Sequence, residues 1–159
     1  MITLSGFGYE EKLKVPSKVF SKTFKNNAFI NGPAVKEFEE KFRQYVNAED
    51  CVAVSSCTSA LQLSLLALSV GPGDEVITVP YTWVSTVEAI RQVGAKPVFV
   101  DINEHDLCMD VTKVSKVITS KTKAIIPVDL YGNVADIDYL KRFNLPIVQD
   151  SAQSTGAIY

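Results

Sequence analysis

VITVPYTWVSTVEAIRQVGAKPVFVD, residues 76–101, decides the fold class. Val76-Ile77-Thr78-Val79 is a short, near-continuous apolar run, as expected of a strand covered on both faces. A helical stretch over about 83–93 follows and stops at Gly94, and Pro97-Val98-Phe99-Val100 then opens a second strand. Strand, helix and strand at this spacing make a right-handed crossover unit of a parallel sheet.

The same alternation extends in both directions. Cys51-Val52-Ala53-Val54-Ser55, Ala124-Ile125-Ile126-Pro127-Val128 and Ile147-Val148-Gln149 read as further strands. Helices are predicted from Thr58 to Leu68, ending at Gly71-Pro72-Gly73, after the cap residue Asp110, and from Asp136 through Leu140 to Phe143. Strand centres at 53, 77, 98, 125 and 147 are separated by 24, 21, 27 and 22 residues, the step of consecutive βαβ units. Upstream, Asn31-Gly32-Pro33 opens a helix over about 33–46, whose Val35, Phe38, Phe42 and Val46 form one apolar stripe. Residues 1–30 show no clean period and read as an N-terminal arm, with lysines interleaved among Val15, Val19, Phe20 and Phe24. The expected fold is therefore α/β, a mostly parallel sheet with flanking helices over residues 31–159, preceded by the arm at 1–30.

Composition removes several functions. Hydrophobic residues make up 47% and charged residues 21%, an ordinary globular mixture. Sixteen Lys and Arg against eighteen Asp and Glu leave a net charge of −2, with a pI of about 5.4 and mean hydropathy +0.11. Such a chain has no long-range field to gather phosphate backbones, so nucleic acid is not an expected partner. The longest apolar stretch, from Ala60 to Leu68, is polar-interrupted and far short of the ~20 residues a bilayer needs. Cys51, Cys57 and Cys108 form no Cys-x-x-Cys pair, and one histidine, His105, cannot complete a zinc set, so no metal site is expected. The N-terminus lacks a basic region followed by an apolar one, which leads to the expectation of a cytoplasmic protein.

In α/β sheets ligands sit beyond the carboxyl ends of the strands. Those ends are Ser55-Ser56-Cys57-Thr58-Ser59, Pro80-Tyr81-Thr82-Trp83, Asp101, Asp129-Leu130-Tyr131-Gly132 and Asp150-Ser151-Ala152-Gln153. The first is a strand entering small hydroxylated residues at a helix start, which suits a bound phosphate and equally an ordinary cap. Asp150 suits a carboxylate facing a cationic ring nitrogen or a metal, and equally a helix N-cap. Trp83 suits a core residue or a ligand platform, and the cysteines suit small buried hydrophobes or nucleophiles. His105 lies in a charged loop, so Ser–His–Asp and Cys–His arrangements have no visible base.

Taken together and in order, Asn31-Gly32-Pro33-Ala34-Val35-Lys36-Glu37-Phe38-Glu39, Ser55-Ser56-Cys57-Thr58-Ser59-Ala60-Leu61, Gly71-Pro72-Gly73-Asp74-Glu75-Val76-Ile77, Pro97-Val98-Phe99-Val100-Asp101, Leu130-Tyr131-Gly132 and the run from Asp150 to Ala157 resemble the N-terminal part of the DegT/DnrJ/EryC1/StrS family. The resemblance covers about residues 7–159. It implies pyridoxal 5'-phosphate (PLP) as cofactor, the aspartate-aminotransferase-like large domain of PLP fold type I, and transfer of an amino group from glutamate to a nucleotide-linked keto-deoxysugar. It further implies that Cys57, Thr58 and Ser59 hold the cofactor phosphate, and that Trp83 stacks on the pyridine ring. Asp150 would keep the ring nitrogen protonated, and Gln153 would hydrogen-bond the phenolic oxygen. A homodimer is implied for the complete enzyme.

Two positions depart from the family pattern: Cys57 stands where glycine or alanine is frequent, and Asp129 where histidine is common. Family members are more than twice this length, and the resemblance places the Schiff-base lysine beyond Tyr159. No catalytic residue is then expected within this chain, and the chain alone is expected to be inactive. A PLP-dependent sugar dehydratase of the same family, or a non-catalytic fragment or half of a split enzyme, are the alternatives.

Overall fold

The computed structural model describes residues 21, 24, 25 and 29–158. Most of the arm at 1–30 lies outside the described residues. Two compact units are divided between Ala53 and Val54.

In the first unit, helix α1 (Pro33–Tyr45) starts as anticipated, with Gly32 at the N-cap and proline in the first turn. Phe38 stacks on Phe42 with ring centroids 5.6 Å apart, and Phe42 meets Tyr45 at 6.4 Å. The expected apolar stripe is present but not buried: Phe38 is 55% exposed. No strand forms at 51–55, which corrects the sequence expectation. Val52 is 75% exposed, and the Ala53 amide donates not to a ladder but to Glu39 Oε1 at 2.8 Å. A β-rich run without a neighbouring strand has nothing to satisfy its backbone groups, so side chains and solvent take them.

The second unit carries helix α2 (Cys57–Ala67), strand β1 (Glu75–Thr78), helix α3 (Val84–Gln92), strand β2 (Lys96–Phe99), strand β3 (Thr122–Ile125) and the single-turn helix α4 (Ile137–Leu140). The segments after Asp110 and after α4 are 3₁₀ turns, Val111–Lys116 and Lys141–Phe143, and not longer α-helices. The sheet order is β2-β1-β3, parallel throughout. The run at 147–149 lies beside β3, joined by parallel bridges Ile125–Ile147 and Val128–Asp150 without becoming a full strand.

Alternation along the strands builds two cores. Val76, Ala124 and Ile126 face one way, against Leu61 and Leu65 of α2 and Ala89 and Ile90 of α3. Ile77, Val79 and Ile125 face the other, against Val114, Leu130 and Leu140. All four residues of the central strand β1 are buried, as a strand flanked on both edges and covered on both faces must be. Gly94 ends α3 with φ +82°, and a Cβ there would lie 2.9 Å from Pro72 Cγ. Both the left-handed turn and the close approach call for glycine.

Candidate functional site

Of the six residues singled out as cofactor ligands, Asp150 lies past the carboxyl end of β3 beside Val128, Cys57 reaches its carboxylate and Gln153 meets Tyr131. Thr58 and Ser59 follow Cys57 in the first turn of α2, and Trp83 stands between β1 and α3. Helix α2 begins one residue earlier than predicted. Ser56 is its N-cap, its hydroxyl accepting from the Ser59 amide at 3.1 Å, and Ser59 Oγ lies 3.0 Å from Ser56 Oγ and 3.1 Å from Ser55 Oγ. With the capping bond made to Ser59, the amides of Cys57 and Thr58, in the first turn of α2, have no acceptor among the described residues. Together with the Thr58 hydroxyl they form a donor set of the kind that holds a phosphate.

Asp150 is the centre of the site. It is buried, 6% exposed, at the point where the backbone runs beside Pro127 and Asp129: its amide donates to Pro127 O at 2.9 Å, and its carbonyl accepts from the Asp129 amide at 3.0 Å. Its carboxylate accepts from three neutral groups. Thr86 Oγ1 donates to Oδ2 at 2.8 Å, Cys57 Sγ to Oδ1 at 3.5 Å, and the Ala152 amide to Oδ1 at 3.3 Å. Among the described residues no cationic side chain pairs with it. A buried carboxylate supported by dipoles alone retains its attraction for a cation. Desolvation, reinforced by the adjacent Asp150 carboxylate, pushes the Cys57 thiol up to about 11. The sulfur therefore remains protonated near neutral pH and acts as a donor, not a nucleophile.

Gln153 is oriented by Tyr131, whose amide donates to Oε1 at 3.1 Å. That contact turns the Nε2 donor toward other partners. Tyr131 holds a left-handed conformation, φ 55° and ψ 27°, and its hydroxyl lies 3.3 Å from that of Tyr81. Trp83 precedes α3 and is 72% exposed. It is not a core residue, and its ring is available to a ligand.

Sequence reasoning missed Thr86, the Tyr81–Tyr131 pair and the role of Asp129. Asp129 is 1% exposed and accepts from the Ala135 amide at 3.1 Å, Gln149 Nε2 at 2.6 Å, Ser151 Oγ at 2.7 Å and Ser154 Oγ at 3.1 Å. It thereby ties down the segment that carries Asp150 and Gln153. Proximity to a strand end was the available signal for Tyr81, Asp129 and Tyr131. Among the described residues no group of three or more His, Cys, Asp or Glu could hold a metal ion, and no helix is long and apolar enough to cross a membrane.

This parallel sheet, with a donor-rich helix start and a buried aspartate at its carboxyl edge, has the architecture of the PLP-dependent aminotransferases of fold type I, in agreement with its structural neighbours. The chain belongs to the DegT/DnrJ/EryC1/StrS aminotransferase family, whose model matches residues 14–159. It is 42% identical over 142 residues to the UDP-2-acetamido-2-deoxy-3-oxo-D-glucuronate aminotransferase of Pseudomonas aeruginosa, covering 87% of this chain and 40% of that protein. It is 41% identical over 140 residues to the dTDP-3-amino-3,4,6-trideoxy-alpha-D-glucose transaminase of Micromonospora megalomicea subsp. nigra, covering 86% and 37%. NtdA of Bacillus subtilis, solved with bound cofactor PMP, superposes with a TM-score of 0.85 at 33% identity, over 88% of this chain and 33% of that one. The chain thus spans about 40% of the length of the curated relatives it matches.

Proposed function

We propose that this chain supplies the cofactor-binding portion of a PLP-dependent aminotransferase that moves an amino group from glutamate to a nucleotide-linked keto-deoxysugar. The observation that carries the reading is Asp150, a buried carboxylate with three neutral donors and no cationic partner among the described residues. When bound, PLP supplies an electron sink for the carbanion formed at the amino-group carbon. The protein's part is to bind and orient it. The amides of Cys57 and Thr58, with the hydroxyls of Thr58 and Ser59, receive the phosphate. Trp83 offers its exposed face to the ring, Asp150 holds a proton on the ring nitrogen, and Gln153 Nε2 donates to the phenolic oxygen.

The substrate class is supported by the two relatives, whose names specify UDP- and dTDP-linked sugars. A homodimer for the whole enzyme is supported by the exposed aromatic stripe of α1, Phe38 to Tyr45. A cytoplasmic setting is in keeping with three free cysteines.

Calorimetric titration of the purified chain with PLP tests the reading. We expect saturable, reversible binding. Pyridoxal, which lacks the phosphate, should bind at least about tenfold more weakly, as should PLP to Asp150→Asn; tenfold corresponds to ~1.4 kcal/mol. Equal affinity of PLP for wild type and Asp150→Asn would overturn it.

A further inference from the structure

Helix interiors give a threonine hydroxyl an easy local partner, the carbonyl four residues back. Thr86, in the first turns of α3 and fully buried, does otherwise. Its Oγ1 reaches across to Asp150 Oδ2 at 2.8 Å and lies 3.0 Å from Thr82 Oγ1. A hydroxyl has one proton. The carboxylate can only accept, so Thr86 donates to Asp150 and Thr82 must donate to Thr86. The result is a one-way chain of hydroxyls, Thr82 to Thr86 to Asp150, ending on the charge.

The accounting at the carboxylate then becomes specific. An ionised carboxylate offers about four acceptor positions, two on each oxygen. Oδ1 already accepts from Cys57 Sγ and the Ala152 amide. Oδ2 accepts from Thr86 and has one position left.

We propose that Thr86 is a positioning residue for Asp150: fed by Thr82, it fixes Oδ2 as the carboxylate oxygen that receives the N–H of the cofactor's pyridine ring. The inference rests on the PLP reading above and adds to it which oxygen meets the ring and which side chains aim it. Cys57 and Ala152 perform the complementary task of occupying Oδ1. Among the described residues, the titratable residues hydrogen-bonded to Asp150 are Cys57, from α2, through its thiol, and Asp129, whose amide holds the Asp150 carbonyl.

The test uses the full chain loaded with PLP labelled with ¹⁵N in the ring, and the paired variants Thr86→Val and Thr86→Ser. Val keeps the shape and removes the donor, whereas Ser keeps the donor. In wild type we expect the ring nitrogen to show the ¹⁵N shift of a protonated pyridinium. Thr86→Val should move that signal toward neutral pyridine and weaken PLP binding at least tenfold. Thr86→Ser should restore the signal and bind within twofold of wild type. A protonated ring and unchanged affinity in Thr86→Val overturn the inference and leave the PLP reading intact. Wild type that shows no saturable PLP binding removes that reading and the inference with it.

Should Thr86→Val lose its cooperative melt, wild type alone decides. The Thr86 hydroxyl proton should be protected from solvent exchange in the NMR spectrum and shift when PLP is added. A hydroxyl resonance indifferent to saturating PLP overturns the proposal.

Discussion

Four donors converge on the buried Asp129 carboxylate, three of them from Gln149, Ser151 and Ser154 on either side of Asp150. Asp129→Ala would strand several of them, and an unsatisfied buried donor costs about 1–3 kcal/mol. We expect a loss of about 2–4 kcal/mol in denaturant unfolding, and a loss below ~1 kcal/mol would show that the node is not structural. Cys57 yields a second outcome at this scale. Its thiol sits at about 11 in the folded chain, above the usual ~8.5, so alkylation followed by mass spectrometry should give a Cys57 rate that climbs through pH 10–11. The contrary result is a rate already levelling off at pH 9. A raised thiol value favours the protonated form on folding, so this contribution to stability is present below the ordinary thiol value and disappears as pH rises through about 11. The place of Asp150 was legible in the sequence because a polar residue just past an apolar run marks a strand end, whereas Gln153 was singled out through the family resemblance. Thr86 was not legible, because its partner lies 64 positions away and nothing local distinguishes it from any helical threonine.

At the scale of the elements, β1, α3 and β2 emerged where hydrophobic runs and Gly94 placed them. Local pattern suffices there, because each run is completed by the next. The run at 51–55 has the same composition and forms no strand among the described residues. Composition reports what a segment can bury, not whether a ladder partner stands beside it. The start of β1 carries its own electrostatic device. Glu75 accepts from Thr119 Oγ1 at 2.7 Å and from Lys96 Nζ at 3.0 Å, and the hydroxyl first, then the lysine, hold its carboxyl below the ordinary value. A depressed carboxyl stabilises the fold above its unfolded value near ~4.3 and loses that contribution as pH falls through the folded value. Thermal melts between pH 7 and 3 should therefore decline less steeply below pH 4.5 in Glu75→Gln than in wild type. Parallel curves would show that the pair contributes nothing to the acid limb.

Across the whole molecule two ends of one sheet compete for an anionic ligand. At the carboxyl end stand the α2 start, Trp83, Asp150 and Gln153. At the amino end a groove of about 530 Å³ is lined by Arg91, Lys96 and Lys121 with Asp74 and Glu75, and charge alone would draw a phosphate there. We propose that PLP binds at the carboxyl end, because backbone amides, an exposed indole and a buried carboxylate would meet the phosphate, ring and ring nitrogen separately, whereas the groove is lined by charged residues with Gly73, Gly94, Ala95 and Pro97 and offers no aromatic face. The most direct measurement is a backbone amide shift map of the ¹⁵N-labelled chain titrated with PLP. We expect the largest saturable shifts at Cys57, Thr58, Tyr131 and Gln153, with Gly94, Lys96 and Lys121 unmoved. Saturable shifts centred on Gly94, Lys96 and Lys121, with Cys57 and Thr58 silent, would contradict it.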